Sequence, residues 1–136
     1  YILDAIKNLK ISVNENHIWL GLADYWYGKI LIEKNKYLEA ETYLRKSLKI
    51  NKNNYPEDHP NIISTSAELG VVSFYLNRFT EAENLLIYGY EGVKKIKGYK
   101  DHNTIRFLEY LIKLYEKTQN VTKLTYYNQL LLQAKK

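Results

Sequence analysis

A period of 42 residues constrains this chain more than any other feature of its sequence. Shifting the sequence by 42 places His17 on His59, Gly28 on Gly70, Asn35 on Asn77, Tyr37 on Phe79, Glu39 on Glu81, Ala40 on Ala82 and Glu41 on Glu83. Matches that recur in order at a fixed spacing mark one supersecondary unit used repeatedly, because each unit buries its apolar face only by stacking on the next. A third copy follows from Asp101-His102, offset by 43 at its start and by 42 afterwards, with Leu69 on Leu111 and Phe79 on Val121. Ahead of the first copy, Ala5, Leu9, Lys10 and Ile11 echo Leu44, Leu48, Lys49 and Ile50. The chain therefore reads as three and a half repeats.

Within each copy the apolar residues fall at helical spacing, as in Tyr37, Ala40, Leu44, Leu48 and in Leu108, Leu111, Ile112, Tyr115. The expected helices are 16–33 with 36–50, 58–76 with 79–97, and 101–118 with 121–135, preceded by the second helix of a truncated repeat over 1–13. The expectation is one all-α domain over 1–136, with repeats at 16–50, 58–97 and 101–135, forming an α-α solenoid of about seven antiparallel helices. Asn35, Asn77 and Gln119-Asn120 mark the reversals inside each pair, since asparagine tolerates the left-handed conformation that stops a helix. Asn16, Asp58 with Pro60 in the first turn, and Asp101 are the expected helix caps. Gly28 and Gly70, Ala40 and Ala82, and Ser47 and Gly89 allow close helix approach. The third copy has Ile112, Leu124 and Leu131 there, so its helices should pack further apart.

Composition removes several classes of function. There is no cysteine, hence no disulfide framework and no thiolate metal site, and no apolar run approaches the roughly 20 residues of a membrane-spanning helix. With no methionine and no leader pattern, the chain is expected to be a cytoplasmic piece of a longer protein, with further repeats upstream covering Ile2, Ala5, Ile6 and Leu9. Phosphate-binding glycine loops, zinc-protease helices and nucleophile elbows are absent, so neither catalysis nor a cofactor is expected. The three histidines recur one repeat apart, too far from each other to share an ion, and are assigned to helix starts.

The stretches Leu69-Gly70 and Asn77-Arg78-Phe79-Thr80-Glu81-Ala82-Glu83, with Glu57-Asp58-His59-Pro60 upstream, resemble the kinesin-light-chain type of tetratricopeptide repeat (TPR). The first copy repeats the pattern as Asn35-Lys36-Tyr37-Leu38-Glu39-Ala40-Glu41. The stretch from Ala82 to Gly92, with Gly98, Asp101-His102 and Leu114-Tyr115-Glu116, is also similar to C-terminal TPR tails of bacterial serine/threonine kinases and related multidomain proteins. The resemblance implies a right-handed TPR superhelix whose first helices line a concave groove, and hence a scaffold that binds a peptide or partner segment.

Helical phase then places Tyr25, Lys29, Ile32, Val71, Phe74, Tyr75, Arg106, Glu109 and Lys113 in that groove, running from apolar and aromatic to basic. Lys29, Arg106 and Lys113 are the expected readers of acidic groups on a peptide. The carboxylate clamp of chaperone-binding TPR domains is disfavoured, because Glu68 would repel a terminal carboxylate. Charge is uneven along the chain: residues 1–93 carry ten Lys/Arg against twelve Asp/Glu, and residues 94–136 carry ten against three. Nucleic acid is not the expected partner of that basic end, which lysines on solvated helix faces explain. A second reading is self-association through the apolar terminal helices, including Val121, Leu124, Tyr127 and Leu130 to Leu132. A third is a regulatory TPR region of a kinase or transcription regulator.

Overall fold

The computed structural model describes residues 2–12 and 17–136, with the backbone alone at 9–12. Helices α1 (Ile2–Ser12), α2 (Ile18–Glu33), α3 (Tyr37–Asn54), α4 (Pro60–Tyr75), α5 (Phe79–Lys97), α6 (His102–Lys117) and α7 (Val121–Ala134) account for the fold, and no strand occurs among the described residues. The first helices of the pairs begin at 18, 60 and 102 and end at 33, 75 and 117, while the second helices begin at 37, 79 and 121. All these boundaries keep a spacing of 42. The offset of 43 at Asp101-His102 is thus a displacement of the sequence motif within an unshifted frame.

Local chemistry explains the boundaries. Asn35, Asn77 and Gln119 take left-handed φ of 62°, 61° and 56°. The amide after each bonds back into the finished helix: Lys36 N to Leu31 O at 2.9 Å, Arg78 N to Ser73 O at 2.9 Å, Asn120 N to Tyr115 O at 3.0 Å. Carbonyls orphaned at the helix end are satisfied and the chain reverses within a few residues. At the helix starts, His17 Nδ1 accepts from Trp19 N and His59 Nδ1 from Asn61 N, both at 3.1 Å, whereas α6 is capped by the Asp101 carboxylate. Asp58 is not the cap of α4. It sits one residue earlier with φ 63° and accepts a hydrogen bond from the Tyr88 hydroxyl at 2.8 Å. Asn16, the expected cap of α2, lies outside the described residues, as does the Leu9 side chain.

Each helix packs on its sequence neighbours, and α4 additionally touches α2 and α6. Such backbone approach joins the first helices to one another but, among the described residues, not α3 to α5 or α5 to α7. The first helices therefore form the inner wall of the solenoid and the second helices the outer one. Enclosed on all sides, α4 is buried almost without interruption from Ile62 to Phe74. Close approach inside the pairs depends on missing side chains: a Cβ on Gly28 would lie 2.7 Å from Leu44 Cγ, and one on Gly89 would lie 2.3 Å from Ala67 Cβ.

Charged groups tie consecutive repeats together. Arg45 bridges Glu41 and Glu81 at 2.9 and 2.7 Å, Arg78 pairs with Glu41, and Ser73 donates to Glu81. At the next junction Lys123 pairs directly with Glu83 at 2.7 Å, and the buried Tyr115 hydroxyl donates to the same carboxylate at 2.8 Å. The Lys123 hydrogen bond leads in holding the Glu83 carboxyl below its ordinary range, despite the opposing cost of partial burial.

Candidate partner-binding groove

Because α2, α4 and α6 keep one register, residues at positions 26, 68 and 110 fall on the same inner face: Trp26, Glu68 and Tyr110. Trp26 is 49% exposed and lies beside Leu22, exposed to the same extent. With Tyr25, Asn51, Ser64 and Thr65 they line a cavity of about 170 Å3. A larger cavity of about 500 Å3 opens further along, walled by Lys29, Ile32, Tyr37, Tyr75, Arg106 and Tyr110. It draws on all three repeats.

Aromatic packing sets the shape of the larger cavity. Tyr37 and Tyr75 stack with centroids 4.4 Å apart, Tyr110 meets Tyr75 edge-on at 5.8 Å, and the two hydroxyls lie 3.0 Å apart. Phe74 supports Tyr75 and Tyr110 from the buried side. Burial, then the hydrogen bond with Tyr75, pushes the Tyr110 hydroxyl well above the usual range, so this phenol presents a neutral hydrogen-bonding group to an occupant.

An ion pair with a buried carboxylate borders the larger cavity through Arg106. Glu68 is 1% exposed, and Arg106 Nη1 donates to both of its carboxylate oxygens at 3.0 and 2.7 Å. Tyr25 lines the smaller cavity: burial raises its hydroxyl first, the Glu68 charge raises it further, and Arg106 partly opposes them. Lys29 lies over the rings of Trp26 and Tyr25 at 4.9 and 5.6 Å, and Lys113 over Tyr110 at 4.8 Å.

These contacts revise the expected groove. Tyr25, Lys29, Ile32, Tyr75 and Arg106 come together on the inner face, although Ile32 is mostly buried. Val71 is completely buried, because α4 is covered by both neighbouring first helices, and it offers no surface to a partner. Phe74 is a supporting core ring, and exposed Glu109 turns to Lys135 at 3.7 Å, on the side of α7. Arg106 is paired with the buried Glu68 carboxylate. Trp26 is absent from the expected groove, although it stands four residues after Leu22 and three before Lys29 on one helical stripe.

Among the described residues no group of three His, Cys, Asp or Glu side chains could hold a metal ion, and no helix is long and apolar enough to cross a membrane. A family model described as tetratricopeptide repeat matches residues 19–88. The fold is similar to that of BtubC (BKLC) from P. vanneervenii, with a TM-score of 0.75 at 16% identity, over 85% of this chain and 45% of that one. It is also similar to a Podosopora anserina structure described as putative kinesin light chain nearly identical TPR-like repeats, with a TM-score of 0.70 at 12% identity over 98% and 64% of the two chains. A single-substitution form of the latter gives 0.67 at 15% identity over 98% and 62%. This chain thus spans about half to two thirds of those structures, and at such identities the likeness is one of fold. No curated protein matches the sequence.

Proposed function

The chain belongs to the tetratricopeptide repeat family, and from that premise we propose that it is a protein-binding scaffold whose concave groove takes an extended or helical peptide segment. The cavity of about 500 Å3 bordered by α2, α4 and α6 carries this reading, since one ligand lying there touches three repeats at once. Exposed Leu22 and Trp26 supply an apolar anchor site at one end, and the Tyr37, Tyr75 and Tyr110 rings supply contacts at the other. Lys29 is the groove cation that supports recognition of an acidic group, with Lys113 beyond it. The same groove would serve an independent adaptor or the regulatory arm of a larger kinase or transcription regulator.

A peptide selected on the wild-type chain from a display library, and then measured by calorimetry, tests the proposal. Trp26→Ala is expected to weaken its affinity by at least about tenfold, the cost of an aromatic hot spot. Lys29→Glu is expected to weaken an acidic peptide further as salt is lowered. Unchanged affinity in both variants would remove the groove from consideration. Self-association is favoured separately by the exposure of Val121, Tyr126 and Leu132 on α7. Light scattering that shows a constant monomer mass up to high concentration would eliminate that second reading.

A further inference from the structure

The outer wall carries a cleft that the groove reading does not use. It lies between the C-terminal ends of α5 and α7, has a volume of about 560 Å3, and is bordered by Tyr90, Lys94, Tyr99, Lys100, Leu130 and Ala134. The 42-residue frame supplies its counterpart at the preceding junction. There Leu48, Lys52, Glu57, Asp58, Tyr88 and Gly92 occupy the same positions. At that junction the chain bridges the corresponding place itself, because Tyr88 reaches from α5 to Asp58 in the loop and donates to its carboxylate at 2.8 Å.

Both halves of that closure are changed at the second junction. Leu130 stands in the place of Tyr88 and is too short to reach the loop, and Lys100 stands in the place of Asp58, reversing its charge. Tyr99 replaces Glu57 and is 53% exposed. The vacated place of an aromatic ring is therefore bordered by apolar Leu130 and Ala134 and by the cations Lys94 and Lys100, of which Lys94 lies over the Tyr90 ring at 5.1 Å. Lys94 also touches Glu91 at 3.1 Å, on the exposed side of α5.

We propose that this cleft is a second docking site, for an acidic protein segment carrying an aromatic residue that fills the position Tyr88 fills at the first junction. The ring would enter beside Leu130 and the exposed Tyr99, and neighbouring carboxylates would meet Lys100 and Lys94, the sign-reversed form of the contact the chain makes with itself. A single-stranded nucleic acid fits less well. Tyr90 is 2% exposed, so among the described residues of the cleft only Tyr99 offers an open ring face, and successive bases need successive platforms.

Fluorescence anisotropy of a dye-labelled short peptide of alternating Glu and Tyr tests this site, with an alternating Lys and Tyr peptide and an oligothymidylate as comparisons. The expected result is binding of the Glu-Tyr peptide alone, weakened at least about tenfold by the exposed substitution Lys100→Glu. Rebuilding the native closure with Leu130→Tyr and Lys100→Asp is expected to abolish binding while circular dichroism remains that of the wild type. Trp26→Ala, in the groove, should leave this binding unchanged. Equal affinity of Lys100→Glu and wild type, loss on Trp26→Ala, or tighter binding of oligothymidylate than of the peptide would each overturn the proposal.

Discussion

The α4–α5 pair and the α6–α7 pair occupy the same frame and are held together by different physics. In the former, Gly70 and Gly89 bring backbones so close that a Cβ on Gly89 would lie 2.8 Å from the Ala67 Cα, and α5 buries Ala82, Leu86, Gly89, Tyr90 and Val93. In the latter, Ile112, Leu124 and Leu131 stand at the small positions, backbone approach is much sparser, and Ala134 is the buried residue of α7. Rings and charges add to the partly buried Leu124, Leu130 and Leu131 in holding α7: Tyr127 stacks on Tyr115 at 5.3 Å and meets Tyr90 edge-on, and Lys123 pairs with Glu83. Dispersion between close backbones needs short side chains, whereas stacking and charge-assisted bonds act across a wider gap. The loose pair is also the one that leaves an open cleft beside it.

Substitutions that exchange these modes should separate them. The largest effect is expected for Gly89→Leu, which gives the close pair the residue of the loose one: about 4 kcal/mol of lost stability in urea denaturation, because Ala67 cannot withdraw. Arg106→Ala should cost about 3 kcal/mol by stranding the Glu68 carboxylate between the two pairs. Much of that loss should return when Glu68→Met is added. Leu131→Ala in the loose pair should cost only about 1 kcal/mol, since its site is already partly open. The last effect, of the same size, is a gain. Thr104 occupies the position of Leu20 and Ile62, is fully buried, and its hydroxyl has no hydrogen-bond partner in the structure. Thr104→Val is expected to raise stability by about 1 kcal/mol, and an unchanged urea midpoint would contradict it.

The period, the seven helices and the positions of the reversals were legible because most rest on residues that repeat: asparagine at the first two left-handed turns, glycine where the helices of the first two pairs touch. Caps were less legible, because Asp58 is the better cap by type and only the backbone decides that His59 holds the amide while Asp58 turns toward Tyr88. The expected groove contained Tyr25, Lys29 and Tyr75, which lie on the inner face, but admitted Val71, since helical phase cannot tell that α4 is covered on two sides. The Glu68 to Arg106 pair crosses 38 residues between different repeats, a distance at which one sequence gives no signal of contact.

Two positions in the close interfaces also bear on how such an array can be copied. Gly21 on α2 faces Ile50 on α3, its missing Cβ 2.8 Å from Ile50 Cγ2, while at the equivalent positions Ile63 on α4 faces Gly92 on α5, with 2.6 Å to Ile63 Cγ2. Large and small have traded places between repeats. A recombination event inside a helix pair would therefore join two isoleucines or two glycines, giving a clash in one product and a void in the other. Crossovers between pairs would keep each complementary couple intact. The heritable unit of this solenoid is thus the whole hairpin, and genetic exchange that respects the loops is the kind its interior tolerates.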